Sequence, residues 1–180
     1  DLAIQNRLRT FFGKPLLDFE GIENKYPTSE YEMFVSLSYS DHNKLRERFY
    51  NEAKKKGYTL LSYISSNTTN YASNIGDNTF IFEDNTIQPF VNIGNNVILW
   101  SGNHIGHHSI VEDNCFISSH VVISGYCKIG ANSFIGVNST LRDGISIGKH
   151  NILGAGCLIV KSTEKNKVFI GTKATEFIKK

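Results

Sequence analysis

Four of the six histidines in this 180-residue chain fall within seventeen residues: His104, His107, His108 and His120. An imidazole that titrates near neutrality suits the work of a general base, and three imidazoles together can hold zinc. The spacings here are 3, 1 and 12 residues. No pair is separated by five residues. What each ring can do depends on where the surrounding segment points it.

That segment is a repeat. Ile, Leu or Val stands at every sixth residue from Ile75 through Ile159, fifteen times without a slip. A period of six fits neither a helix nor a plain alternating strand, and repeats take precedence in reading a fold. Small residues such as Thr79, Ser109, Cys115, Ser133 and Cys157 stand two positions before the aliphatic ones. Residues two apart on a strand share a face, so both sets point inward. Glycine often follows the aliphatic residue, where the chain turns or packs closely (Gly76, Gly94, Gly106, Gly130, Gly136). Short strands joined by tight corners describe a three-sided parallel solenoid with eighteen residues per turn.

Columns eighteen residues apart then place the polar groups. His104 projects from a flat side, while His107, His108 and His120 occupy corners. His107 stands above Pro89 and below Gly125, whose missing side chain leaves room for a substrate and bares an N–H. His42 and His150 read as ordinary surface. Phe80, Ile98, Phe116, Phe134 and Ile152 form an outward apolar column that needs a cover. Partner subunits are the expected cover, and docking of the N-terminal segment is the alternative.

Residues 1–65 follow other rules and form the first of two expected domains, with 66–180 the second. Glu32–Leu37 reads as a strand. Ser40 or Asp41 caps a helix through about Lys56, with Leu45, Phe49 and Ala53 on one face and Gly57 as its stop; Tyr58–Ile64 is a second strand. This is a partial, Rossmann-like β-α-β fragment. No G-x-G-x-x-G turn precedes it.

The net charge of +2 implies no nucleic-acid partner, and the basic tail (Lys161, Lys165, Lys167, Lys173, Lys179, Lys180) reads as solvated surface. No apolar run is long enough to span a membrane and no signal peptide opens the chain. All three cysteines take small inward slots, which makes them core filler and suits a reduced, cytoplasmic setting.

Taken together, His107-His108-Ser109-Ile110-Val111, Val122-Ile123-Ser124-Gly125, Lys128-Ile129-Gly130, Gly136-Val137-Asn138, Leu153-Gly154-Ala155-Gly156 and Val168-Phe169-Ile170-Gly171-Thr172-Lys173-Ala174 carry a resemblance. The chain resembles hexapeptide-repeat sugar acetyltransferases, the group that includes sialic acid O-acetyltransferases and UDP-4-amino-sugar N-acetyltransferases. The resemblance implies a left-handed parallel β-helix of about five coils and a homotrimer. It also implies acetyl-CoA bound between subunits, no metal, and a nucleotide-sugar acceptor. It places the catalytic histidine on His107, the amide that holds the acetyl carbonyl on Gly125, and backbone contacts to the cofactor on Val137 and Ala155. Two positions depart from the family pattern. His108 replaces the acidic residue that usually follows the base, so Glu112, Asp113 or a neighbouring subunit is expected to supply a carboxylate. Phe116 stands where some members carry a second histidine. The competing readings are a zinc enzyme like the γ-type carbonic anhydrases, and a trimeric scaffold without activity.

Overall fold

The computed structural model describes residues 10–174 and residue 176. It is a parallel β-solenoid with a small helical segment clasped to one side. Eighteen two-residue rungs, three to a turn, make six turns. They hydrogen-bond into three faces. The first face runs from Tyr63–Ile64 to Val168–Phe169, the second from Thr69–Asn70 to Leu158–Ile159, and the third from Asn74–Ile75 to Ser146–Ile147.

The hexad builds the core as its period requires. The aliphatic residues from Ile81 to Leu153 are all buried, with the small slots between them and all three cysteines among the buried residues. Burial pushes the Cys115 thiol up to about 12. Such a thiol is a packing group and a poor nucleophile.

The solenoid is a turn longer than the expected five coils, because its ends break the beat. In the first turn Tyr63 pairs with Phe80 and Thr69 with Thr86, seventeen residues apart, before Asn74 and Asn92 settle at eighteen. At the other end Val168–Phe169 closes the first face after a longer corner, with Thr163 Oγ1 accepting from the Gly148 N–H.

Turning is done by a position that the aliphatic series does not reveal. Fourteen corner residues at six-residue intervals, Asn78 through Gly156, all have positive φ. Twelve are Asn, Asp, Gly or His, the types that enter this region most readily. His108, His120 and His150 are three of them. The glycines directly after the aliphatic residues serve close approach instead: a Cβ on Gly136 would lie 2.6 Å from the Gly154 carbonyl carbon.

Upstream of the coil, β1 (Thr10–Phe11) pairs antiparallel with β2 (Lys14–Pro15). Helix α1 spans Lys44–Lys56 and ends at Gly57 with φ 95°, as its sequence foretells. Its start differs: Asn43 occupies the cap position in a left-handed conformation and makes no side-chain cap bond, since its amide is used elsewhere. The expected strand at Glu32–Leu37 is reduced to one parallel bridge, Met33 to Leu60. Tyr63–Ile64 belongs to the coil, not to a β-α-β sheet. Of the basic tail, Lys161, Lys165, Lys167 and Lys173 are exposed, and Lys179 and Lys180 lie outside the described residues.

The cover of the apolar column is the alternative one. Tyr39 packs its ring on Phe116 and Phe134, and Phe34 packs on Phe80. Phe116 is left 4% exposed and Ile98 8%. The expected partner subunit is therefore not needed on this face. A polar seam fixes the contact. Asn43, Arg46, Glu47, Tyr50 and Lys54 form one stripe along α1 that faces the corner between the third and first faces. There the left-handed asparagines stack as a ladder: Asn78 Nδ2 donates to Asn96 Oδ1 and Asn96 Nδ2 to Asn114 Oδ1, each at 2.7 Å. Glu47 accepts from Asn114 and Asn132, and the Val35 N–H donates to Asn78. The fully buried Arg46 donates to the carbonyls of Ser38, Asn96, Asn114 and Cys115. Burial pulls its pKa down to about 10, so it stays charged near neutrality.

Candidate active site at the histidine corner

With the first face covered, the second face stands open between two corners. One carries Pro89, His107, Gly125 and Asp143 in a single column; the other carries Ser101, Val137 and Ala155. The sequence-predicted residues thus divide. His107, His108 and Gly125 come together. Val137 and Ala155, both exposed, sit at the opposite edge of the second face.

His107 lies over Gly125 as its column predicts. A Cβ added to Gly125 would come within 2.8 Å of both His107 Cε1 and Nε2. Backbone bonds hold the histidine in place: its N–H donates to Gln88 Oε1 at 2.8 Å, and its carbonyl accepts from the Tyr126 N–H at 2.9 Å. The Gly125 amide is aimed by a neighbour. Ser109 Oγ donates to the Ser124 carbonyl at 3.0 Å, which draws that oxygen toward the core. Across a trans peptide the Gly125 N–H must then point the other way, outward. It has no acceptor among the described residues.

The second nitrogen of the base has a partner that is not a carboxylate. His107 Nδ1 and His108 Nδ1 are 3.1 Å apart. If His107 Nε2 is to take a proton, Nδ1 carries the hydrogen and donates it to a neutral His108. His108 thereby fixes the tautomer, the task usually given to an acid. It is itself clamped between Phe90 and Tyr126, at ring distances of 4.6 and 4.8 Å.

The expected carboxylates do not reach this corner. Glu112 and Asp113 follow Val111, one corner further along the turn. Glu112 pairs with Lys128 at 2.9 Å and accepts from the Ala131 N–H. Burial raises its pKa, but those bonds and the Lys128 and Lys149 charges prevail and hold it below the ordinary value. Asp113 Oδ1 accepts from the Asn95 N–H. The acid in the histidine column is Asp143, whose Oδ1 lies 3.1 Å from the same point above Gly125 that His107 approaches. Adding eighteen to Gly125 would have found it.

His120 and His104 stay apart from His107, at the opposite corner and on the flat side. Phe116, noted above as a departure from the family pattern, is buried against Tyr39, Trp100 and Phe134. Among the described residues no cluster of three or more His, Cys, Asp or Glu could hold a metal, and no helix is long and apolar enough to cross a membrane.

Gly125 tests the arrangement directly. Gly125→Ala sets the new methyl 2.8 Å from the His107 ring and 3.1 Å from Asp143 Oδ1, where both must give way. Turnover should fall about tenfold or more with the melting temperature little changed, since His107 is exposed and can swing away. Steady-state kinetics beside thermal unfolding would show it.

Residues 90–125 and 126–161 match the family model described as bacterial transferase hexapeptide (six repeats). Among solved structures, a histidine-to-asparagine mutant of perosamine N-acetyltransferase from Caulobacter crescentus, in complex with CoA and GDP-perosamine, superposes with a TM-score of 0.82 at 21% identity, over 91% of this chain and 78% of that one. The acetyltransferase domain of PglB from Neisseria gonorrhoeae in complex with acetyl coenzyme A gives 0.81 at 20% identity, over 92% and 80%. WeeI from Acinetobacter baumannii gives 0.71 at 20%, over 90% and 77%. Residues 90–161 are thus similar to the bacterial transferase hexapeptide repeat, and the chain shares the fold of these solved structures.

Proposed function

We propose that this chain transfers an acetyl group from acetyl-CoA directly to an amino or hydroxyl group of a nucleotide-activated sugar. The observation that carries the reading is the His107 imidazole lying over Gly125, whose N–H points outward without an acceptor among the described residues. A base and an oxyanion donor at one spot are what direct acyl transfer needs. The structures that share the fold, with CoA and GDP-perosamine in one and acetyl coenzyme A in another, agree with it.

His107 Nε2 takes the proton from the attacking N–H or O–H as the new bond to the acetyl carbon forms. The Gly125 N–H donates to the carbonyl oxygen as it gains charge. When the C–S bond breaks, the His107 imidazolium returns its proton to the departing thiolate, so the products are the acetylated sugar and free CoA thiol. His108 keeps Nδ1 of the base occupied throughout. No acyl-enzyme is required.

Val137 and Ala155 would contact the cofactor, and they flank the second face at the edge away from His107. One copy therefore supplies the base and a second copy the cofactor-binding corner. This favours a homotrimer with its sites at the seams, working in the cytoplasm where acetyl-CoA is made, on sugars destined for glycans. The test is a panel of UDP- and dTDP-amino sugars, GDP-perosamine, CMP-sialic acid and free sialic acid, incubated with acetyl-CoA and read by mass spectrometry. A gain of one acetyl group on at least one member is expected. No gain on any member, together with no calorimetric binding of acetyl-CoA, would leave the scaffold reading in its place.

A further inference from the structure

Of the fourteen left-handed corner positions, only two carry residues outside the Asn, Asp, Gly and His set: Phe90, with φ 65°, and Tyr126, with φ 56°. Bulky aromatic side chains are disfavoured there, and such strain concentrates where a fold serves a ligand. Both flank His108 in one column. The three rings stack, Phe90 on His108 at 4.6 Å and His108 on Tyr126 at 4.8 Å with only 16° between planes. Phe90 and Tyr126 are nevertheless 60% and 59% exposed. A core purpose does not account for them.

The stack stops where the next ring would lie. The residue eighteen after Tyr126 is Gly144, and a Cβ placed on it meets nothing within 4 Å. The Tyr126 face away from His108 is therefore open, and Asp143, which precedes Gly144, holds its Oδ1 3.1 Å from the point above Gly125, the residue before Tyr126. Tyr126 is also next to the base, its ring centre 5.0 Å from that of His107.

We propose that the open face of Tyr126, above Gly144 and beside Asp143, is the platform on which the acceptor's sugar ring lies during transfer. The inference rests on the acetyl-transfer reading of the same corner. An apolar ring face bordered by a carboxylate suits a pyranose, whose C–H face is apolar and whose rim carries hydroxyls. Distance selects the sugar over a nucleobase. The atom that gives its proton to His107 Nε2 must come within about 3 Å. A ring resting on Tyr126 is then the ring bearing that atom. A nucleobase, separated from the sugar by ribose and two phosphates, would have to lie further off.

Gly144→His is the decisive variant. His108, His120 and His150 already hold this backbone conformation, so the fold accepts histidine there, and its ring would continue the stack and occupy the platform. For every panel sugar that the wild type acetylates, KM for the sugar should rise about tenfold with KM for acetyl-CoA unchanged. Tyr126→Ala should do the same. An unchanged sugar KM in an active Gly144→His enzyme overturns the platform and leaves the transferase reading standing. If the wild type acetylates nothing, the platform is judged by saturation-transfer NMR without acetyl-CoA, and the functional reading falls if acetyl-CoA does not bind either. With GDP-perosamine and sialic acid as probes, ring-proton signals present in wild type and lost in Gly144→His support it. Equal signals in both proteins, or none in wild type, overturn it. So does a variant that alters only the oligomeric state, which would mean that the column serves a subunit seam.

Discussion

His107→Ala is expected to lower kcat by at least ~10² while the fold and the oligomer stay intact. The loss is that of a base in reach of the attacking atom, and nothing nearby can replace it. His108 is held between Phe90 and Tyr126 with its Nδ1 turned to His107. Asp143 shares the space over Gly125 but makes no hydrogen bond with His107. Because the His107 side chain is exposed at a corner, its removal leaves no buried cavity, and the His108 Nδ1 it releases is also on an exposed residue. The fall should appear equally in kcat and kcat/KM, the mark of an interaction made only in the transition state. Thiol release from acetyl-CoA, followed in the presence of an accepted sugar, measures it. Near-full activity would remove His107 from the mechanism.

Arg46→Ala is expected to be the most destabilising single change on the helical segment. The guanidinium is fully buried and meets four backbone carbonyls and the Asn43 side chain. Truncation strands the Ser38, Asn96 and Asn114 oxygens, while the Cys115 carbonyl keeps the Ile98 N–H; the cost is about 1–3 kcal/mol for each that finds no water. A total of about 3–5 kcal/mol follows if the seam relaxes in part. Lysine is no remedy, because one ammonium cannot span carbonyls presented by two successive turns of the coil, at Asn96 and at Asn114. Urea unfolding measures the loss. Hydrogen exchange should show protection vanishing first in α1 and only later in the rungs. Wild-type stability in Arg46→Ala would mean that the seam is ornamental.

The coil was open to reading because its core obeys one rule: each aliphatic residue is buried by the aliphatic residue at the same position one turn away. Column arithmetic on that rule also set His107 beside Gly125 and put the cysteines inside. The same arithmetic, pushed one step further, reaches Asp143, and pushed sideways reaches the left-handed beat at Asn78, Asn96 and Asn114. The clasp of the N-terminal segment was harder. Apolar periodicity finds the face of α1 bearing Phe49 and Ala53, but the face that meets the coil is polar: Asn43, Arg46, Glu47, Tyr50 and Lys54. Inward-facing polarity looks like solvated surface until its partners are known. The first turn escaped for a related reason, since a rung one residue out of step, with Asn70 in the place of an isoleucine, has no hydrophobic signature.

A solenoid touches only its nearest turns, so in principle it can come apart from either end one layer at a time. The asparagine ladder and the side chains laid across it work against that. Through Val35, Arg46 and Glu47 a single segment grips Asn78, Asn96, Asn114 and Asn132, one residue from each of four successive turns. It acts as a batten nailed across shingles. Those four turns are bound to lift together or not at all, whereas the turns beyond Asn132 answer only to their neighbours. The chain is thereby divided along its axis into a cooperative block and a looser end. The histidine corner at His107 and Gly125 belongs to the block, as does Val137, while Ala155 lies one turn beyond it.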